Sequence, residues 1–164
     1  MIKIVDAKKT DATFIAQAIM AAVGEQICLN FAGPAHTLDD VEHLFTELAK
    51  RDDSQYSYLN TLAAVDDDGK TVGVCISYDG ALLDELRKPF FEAVSSILGK
   101  DMTDVQDETD GNEVYIDTLA VLPECRKQGI GAALLKATVE KARKIGKPAG
   151  LLVEKENHNA RRLY

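Results

Sequence analysis

Apolar and polar positions along this chain keep two rhythms, and the changes between them mark the elements. Ile2 to Val5 is a short β-rich start and predicts a first strand. Behind Thr10 and Asp11, which can cap a helix, Phe14, Ile15, Ala18, Ile19 and Ala22 recur at helical spacing. That pattern fades near Gly24, and residues 24–36 read as a mixed loop ending in Gly33 and Pro34. Thr37 followed by Asp40 has the form of a capping box with Asp in the Glu position, and it opens a helix to about Lys50.

Leu59 to Val65 and Thr71 to Tyr78 are β-rich runs joined by Asp66, Asp67, Asp68 and Gly69, a hairpin signal. The three aspartates fit turn residues better than metal ligands, because no calcium-loop spacing surrounds them. Leu82, Leu83, Leu86, Phe90, Val94 and Ile97 are near-helical in period, and Pro89 inside them predicts a kink or two shorter helices. Asp101 to Asp110 follows as an acidic, loop-like segment.

A β-branched run from Val114 to Leu122 is stopped by Pro123, which cannot donate to a sheet ladder. A segment rich in Ala, Leu and Lys then reads as helix to Ile145, closed by Gly146, Lys147 and Pro148. Ala149 to Glu154 reads as the next strand, and a strand, crossover helix, strand unit is right-handed and parallel. Strand, glycine turn and helix together aim unpaired N–H groups at whatever lies over the turn, a spot that favours an anion. No Walker A run is present, and Leu134 stands where a dinucleotide fingerprint needs its third glycine.

Composition narrows the classes. At 164 residues and 46% apolar content, the chain suits one domain with a proper core. Ala12 to Gly24, uncharged, is too short to span a bilayer, and no signal-peptide core follows Lys3 and Asp6; a cytosolic protein is expected. Cys28, Cys75 and Cys125 match no zinc or redox spacing. Cys75 is expected in the core. Cys125, beside Arg126, is read as an inert loop thiol. Net charge is −8, yet Arg126, Lys127, Lys136, Lys141, Arg143, Lys144 and Lys147 face Glu140 alone in one stretch. One basic face on an acidic chain suits a polyanionic small ligand and argues against nucleic acid; a solvated amphipathic helix would carry the same charges.

Arg126-x-x-Gly129-x-Gly131-Ala132, preceded by Leu119, Ala120, Val121 and Pro123 and followed by Leu134 and Leu135, resembles the acyl-CoA pyrophosphate loop of the GNAT superfamily of N-acetyltransferases. Asn157, Ala160, Leu163 and Tyr164 resemble that family's Asn-x-x-Ala-x-x-Leu-Tyr helix. The resemblance implies an α/β (α+β) fold over residues 1–164: a mixed, mostly antiparallel central sheet with parallel strands 4 and 5 splayed apart, flanked by helices. Against it, residues 81–112 form an insertion of about thirty residues, either an acceptor-side lid or a solvated loop. The family's closing turn and two-stranded hairpin are expected to be missing from this chain, as in a clipped piece.

The resemblance also implies an activity: transfer of an acetyl group from acetyl-CoA to a small-molecule or peptide amine by direct attack in a ternary complex, with no metal. Arg126, Lys127, Gln128, Gly129, Ile130, Gly131 and Ala132 would hold the pyrophosphate. The pantetheine arm would pair with Leu119, Ala120 and Val121 like an added strand, Asn157 would contact it, and the Val121 N–H would face the oxyanion. Tyr164 would protonate the leaving thiolate; a core aromatic is its competing role. An amine of lysine-like pKa is only about 0.04% neutral at pH 7, a cost of roughly 4.6 kcal/mol, so a base is useful. Strand alternation groups Glu113, Tyr115, Asp117 and Leu119 against Val114, Ile116 and Thr118, which makes Asp117 or Glu113 the base candidate. A bulge would flip that grouping, and a structural carboxylate is the competing role for Asp117. Glu25, His36 and Asp39 are candidates for acceptor contact, against capping and solvation. A homodimer is the assembly the resemblance suggests, with no nucleic-acid or membrane partner.

Two rivals stand beside this reading. A non-catalytic acyl-CoA sensor would keep the loop without a base, and a nucleotide-binding βαβ domain would need its glycine loop earlier in the chain.

Overall fold

The computed structural model describes residues 1–100, 109 and 111–150. The strands β1 (Lys3–Asp6), β2 (Thr61–Val65), β3 (Thr71–Asp79), β4 (Val114–Val121) and β5 (Ala149–Gly150) form one sheet in chain order. The first four pair antiparallel, and β4 pairs parallel with β5 through Val114–Ala149 and Tyr115–Gly150. The mixed sheet with parallel fourth and fifth strands is the one the sequence implied. The rest of the strand expected to Glu154 lies outside the described residues, as does the acidic segment 101–108 and 110.

Helices cover both faces. On one side pack α1 (Ala12–Val23), α2 (Glu25–Ala32), α3 (Leu38–Lys50) and α5 (Lys88–Ala93). Ile15, Ile19, Phe45, Leu48 and Phe90 meet Ala63, Val74 and Ile76 of the sheet there. On the other side α6 (Ile130–Lys144) lays Ile130 and Leu134 against Ala64, Cys75 and Ile116. Covered twice, β3 is buried at every residue from Val72 to Tyr78 and so reads as a nearly continuous apolar run.

Three local readings need correction or refinement. Residues 24–36 are not a mixed loop, since α2 occupies Glu25–Ala32. Gly24, at φ +94°, turns the chain by 106° between α1 and α2, and that break hides the second helix from a running period. Asp11 does not cap α1 with its side chain. It closes the preceding 3-10 turn (Lys9–Asp11) by accepting from the Lys8 N–H at 2.8 Å, and its other oxygen accepts from the Thr71 hydroxyl. The strand expected from Leu59 begins at Thr61, behind a 3-10 turn at Tyr58–Asn60.

Other expectations hold. Thr37 and Asp40 exchange both capping-box hydrogen bonds at the start of α3, and the Thr37 backbone N–H holds the Asp40 carboxyl below its usual range. The segment around Pro89 breaks at Arg87 into α4 (Leu83–Leu86) and α5, ending in a π turn at Val94–Leu98. Asp66 accepts from the N–H groups of Asp68 and Lys70, which accounts for the hairpin aspartate as a turn residue. No single helix among the described residues is long and apolar enough to cross a membrane.

Candidate functional site

The strand, loop and helix that opened the question stand together. β4 ends at Val121, a 3-10 turn spans Pro123–Cys125, and the loop then passes through two left-handed residues, Lys127 (φ +64°) and Gly129 (φ +81°). Helix α6 follows at once, its first backbone bond running from the Ala133 N–H to the Gly129 carbonyl. The N–H groups of Ile130, Gly131 and Ala132 therefore have no acceptor within the helix, and the positive end of a 15-residue helix lies behind them. Ile130, Leu134, Thr138 and Ala142, spaced by four, are buried and fix the helix on the sheet. Arg126, Lys127, Gln128 and Gly129 stay exposed at its mouth. No group of three or more His, Cys, Asp or Glu suited to a metal ion occurs among the described residues.

The basic stretch divides on inspection. Lys141 turns inward, where its ammonium donates to the Ser77 carbonyl at 2.7 Å, the Ser77 hydroxyl at 2.9 Å and the Asn60 carbonyl at 3.2 Å. Burial pulls its pKa down. Lys147 pairs with Asp79 at 2.6 Å, which lowers that carboxyl, and Arg143 pairs with Glu140. Arg126 and Lys127 carry the charge at the loop itself, with Arg126 Nε also donating to the Val121 carbonyl at 3.1 Å.

The register of β4 decides which groups it offers. The Leu122 N–H donates to the Val72 carbonyl at 2.8 Å. By antiparallel alternation Ala120 and Thr118 also turn their backbone groups to β3, while Leu119 and Val121 turn theirs to the opposite edge, where β5 runs. Of the three candidates for an added strand, Leu119 and Val121 have that orientation and Ala120 pairs with Val74.

One residue earlier the ladder slips. Ile76 pairs with Thr118 but Ser77 pairs with Ile116, so Asp117 is an extra residue, a β-bulge. The bulge corrects the simple alternation of faces. Leu119 does not share a face with Asp117: it packs with Cys75 and Ile116 on the α6 side. Thr118 joins Asp117 instead, donating to its Oδ1 at 3.2 Å.

Asp117 is the hub of a polar cluster. Its Oδ2 accepts from the Tyr78 hydroxyl at 2.7 Å and from Gln55 Nε2 at 3.1 Å. Burial raises its pKa above the ordinary carboxylate range, against those hydrogen bonds and the one from Thr118. Tyr78 and Tyr115 stack edge to face at 5.9 Å beside it. Glu113, the other base candidate, lies apart from this cluster, with its carboxyl against the Cα of Gly150. Sequence reasoning missed Tyr78 and Gln55. Tyr78 closes a strand run and could have been flagged, whereas Gln55 has no local signal.

The remaining candidates sort themselves by environment. Glu25 lines a cavity of about 260 Å³ with Met20, Ala21, Gly24, Cys28 and Leu38. His36 lies 3.4 Å from the capping carboxylate of Asp40, and Asp39 sits in the first turn of α3, where a negative charge favours the helix dipole. Burial raises the Cys28 thiol and pushes that of Cys75 up to about 11, as inert core residues require. Asn157 and Tyr164 lie outside the described residues.

The sequence model of the acetyltransferase (GNAT) family matches residues 26–164. Among solved structures, a crystal structure of an acetyltransferase shares 28% identity with a TM-score of 0.78, covering 99% of this chain and 86% of that one. An N-acetyltransferase from Staphylococcus aureus Mu50 shares 21% identity and a TM-score of 0.72 over 99% and 87% of the two chains. An aminoglycoside N-acetyltransferase in complex with CoA shares 15% identity and a TM-score of 0.56 over 99% and 84%. No curated protein matches the chain.

Proposed function

This chain belongs to the GNAT family of acetyltransferases, and on that premise we propose that it moves an acetyl group from acetyl-CoA to a primary amine by direct attack in a ternary complex. The observation that carries the proposal is the junction of β4 with α6. There a helix mouth with three N–H groups that have no acceptor within the helix adjoins a strand end whose Leu119 and Val121 backbone groups face away from β3.

Residues 126–132 would hold the pyrophosphate, the diphosphate charge meeting backbone N–H groups and the helix dipole. Leu119 and Val121 would pair with the pantetheine amides, and the Val121 N–H would stabilise the negative oxygen that develops on the thioester carbonyl. Asp117 would take the proton of the attacking amine. Its position at a bulge and its raised proton affinity suit a base better than the placement of Glu113 against Gly150 does. Asn157 and Tyr164 keep the roles their motif suggests, contact with pantetheine and protonation of the departing thiolate.

A cationic acceptor agrees with the acidic segment 101–110, and the aminoglycoside enzyme among the structural relatives points the same way. A single cytosolic domain working as a homodimer completes the reading. The test is release of CoA thiol across a panel of amines, with calorimetry of acetyl-CoA binding. Turnover with at least one amine supports the proposal. Saturable acetyl-CoA binding with no turnover on any amine would make the chain an acyl-CoA sensor, and no binding would end the transferase reading.

A further inference from the structure

The hydrogen bonds around Asp117 leave one atom over. Gln55 is 4% exposed. Its Nε2 donates to Asp117 Oδ2 at 3.1 Å and, weakly, toward the Tyr78 hydroxyl oxygen at 3.5 Å. Its Oε1 is buried with no partner among the described residues. An unpaired buried carbonyl oxygen is unfavourable, and an amide exchanges its two ends by a half-turn about its last torsion. The orientation found suits an ionised carboxylate, which only accepts and so meets the N–H end of the amide.

We propose that Gln55 is a positioning residue for Asp117: its N–H end aims the ionised carboxylate, and its orphaned oxygen turns in to receive the carboxyl O–H once Asp117 is protonated. The inference rests on Asp117 being the base of the proposed transfer. In that step an N–H bond of the amine breaks as its nitrogen bonds to the acyl carbon, and the carbonyl π pair moves onto the oxygen facing the Val121 N–H. The proton forms an O–H bond at Asp117 Oδ2 whose hydrogen bond Gln55 Oε1 accepts; on collapse the C–S bond breaks and Tyr164 protonates the departing thiolate. No further reactant is needed. Among the described residues, the groups acting on the carboxyl are Tyr78 from β3, Gln55 from the segment after α3 and Thr118 on β4 itself, with no charged side chain among them.

The pivot is held firmly. The Gln55 N–H donates to the Leu86 carbonyl at 2.8 Å and its carbonyl accepts from Asn60 Nδ2 at 3.2 Å. The Asn60 carbonyl in turn accepts from Lys141 of α6. The amide can turn while its backbone stays fixed to the helix that bears the proposed cosubstrate loop.

Nuclear magnetic resonance of the full chain tests this without turnover. Isotope-labelled aspartate, assigned from Asp117→Asn, gives the Asp117 midpoint; labelled glutamine, assigned from Gln55→Met, follows the Gln55 amide. The Gln55 amide signal should titrate with the Asp117 midpoint and cease to titrate in Asp117→Asn. Gln55→Met should raise that midpoint by roughly one pH unit, since the donor lost to the ionised carboxylate is a charge-assisted bond and outweighs the neutral acceptor lost to the protonated one. An amide indifferent to the Asp117 titration in the unsubstituted protein overturns the proposal even if Gln55→Met fails to fold, and an unmoved midpoint overturns it too. Full amine acetylation by Asp117→Asn would remove Asp117 as the base while leaving the titration result in force.

Discussion

The Tyr78 hydroxyl donates to Oδ2 of Asp117 at 2.7 Å, beside the slip in register between β3 and β4. The bulge and the bond belong together. An extra residue in β4 puts Asp117 and Thr118 on the same face, and Tyr78 from the neighbouring strand gives the carboxyl its shortest contact. A carboxylate so placed is costly to keep charged and still well supplied with donors, the balance a general base requires.

Asp117→Asn should separate stability from activity. Asn keeps an acceptor for Tyr78 and removes the half-buried charge. Because the folded-state pKa of Asp117 is raised, the native protein binds the proton more tightly than the unfolded chain does. The stability of that group is present below the unfolded value and is lost as pH rises through the folded one. The variant should therefore match the parent in melting temperature near pH 4 and equal or exceed it at pH 8. Turnover should fall at least ~100-fold. Melts at both pH values and thiol-release rates check it.

Lys141→Met should weaken the fold. The substitution leaves the Ser77 and Asn60 carbonyls without the ammonium that serves them. A loss of about 2 kcal/mol is expected in urea unfolding at pH 7. Because the Lys141 pKa is lowered in the folded protein, the native state holds its proton less tightly than the unfolded one. The parent should thus gain stability relative to the variant as pH rises from the depressed value towards the ordinary lysine range.

Gly129→Glu should spare the fold and abolish acetyl-CoA binding. A Cβ at Gly129 meets nothing within 4 Å, but φ is +81°, so the expected stability loss is the left-handed penalty of about 1–2 kcal/mol. A carboxylate at the helix mouth would oppose the diphosphate. Calorimetry with acetyl-CoA, beside an unchanged circular dichroism spectrum, reads out both halves.

Gly73→Ala probes the approach of α6 to the strand end. A Cβ there would stand 3.1 Å from the Ala120 carbonyl and 3.3 Å from both Leu134 and Val121. Overpacking by one methyl should lower stability by about 1 kcal/mol. Displacement of Val121 should also weaken acetyl-CoA binding several-fold, measured by the same titration.

Tyr164→Phe should lower turnover roughly tenfold or more with little change in CoA affinity, as expected of a proton donor to the leaving group. Equal loss of affinity would assign Tyr164 to packing.

Much of the fold lay open in local spacing. The capping box of Thr37 and Asp40, the Asp66 hairpin, the break near Pro89 and the glycine loop before α6 are each written within a few adjacent residues. Glu25–Ala32 was hidden because Gly24 interrupts the apolar period, and because Ile27 and Leu29 of that helix face outward while Cys28 and Ala32 face in.

Short-range chemistry determined the elements of this protein, its anion-ready loop and its family, since turns, caps and helical stripes depend on neighbours in the chain. Only the tertiary structure decided which groups surround Asp117. Gln55 and Tyr78 reach it from 62 and 39 positions away, and one slipped pairing in β4 sets the face it occupies. Such a slip is a compromise between two strands and the layers packed on them, and no single strand's sequence records it.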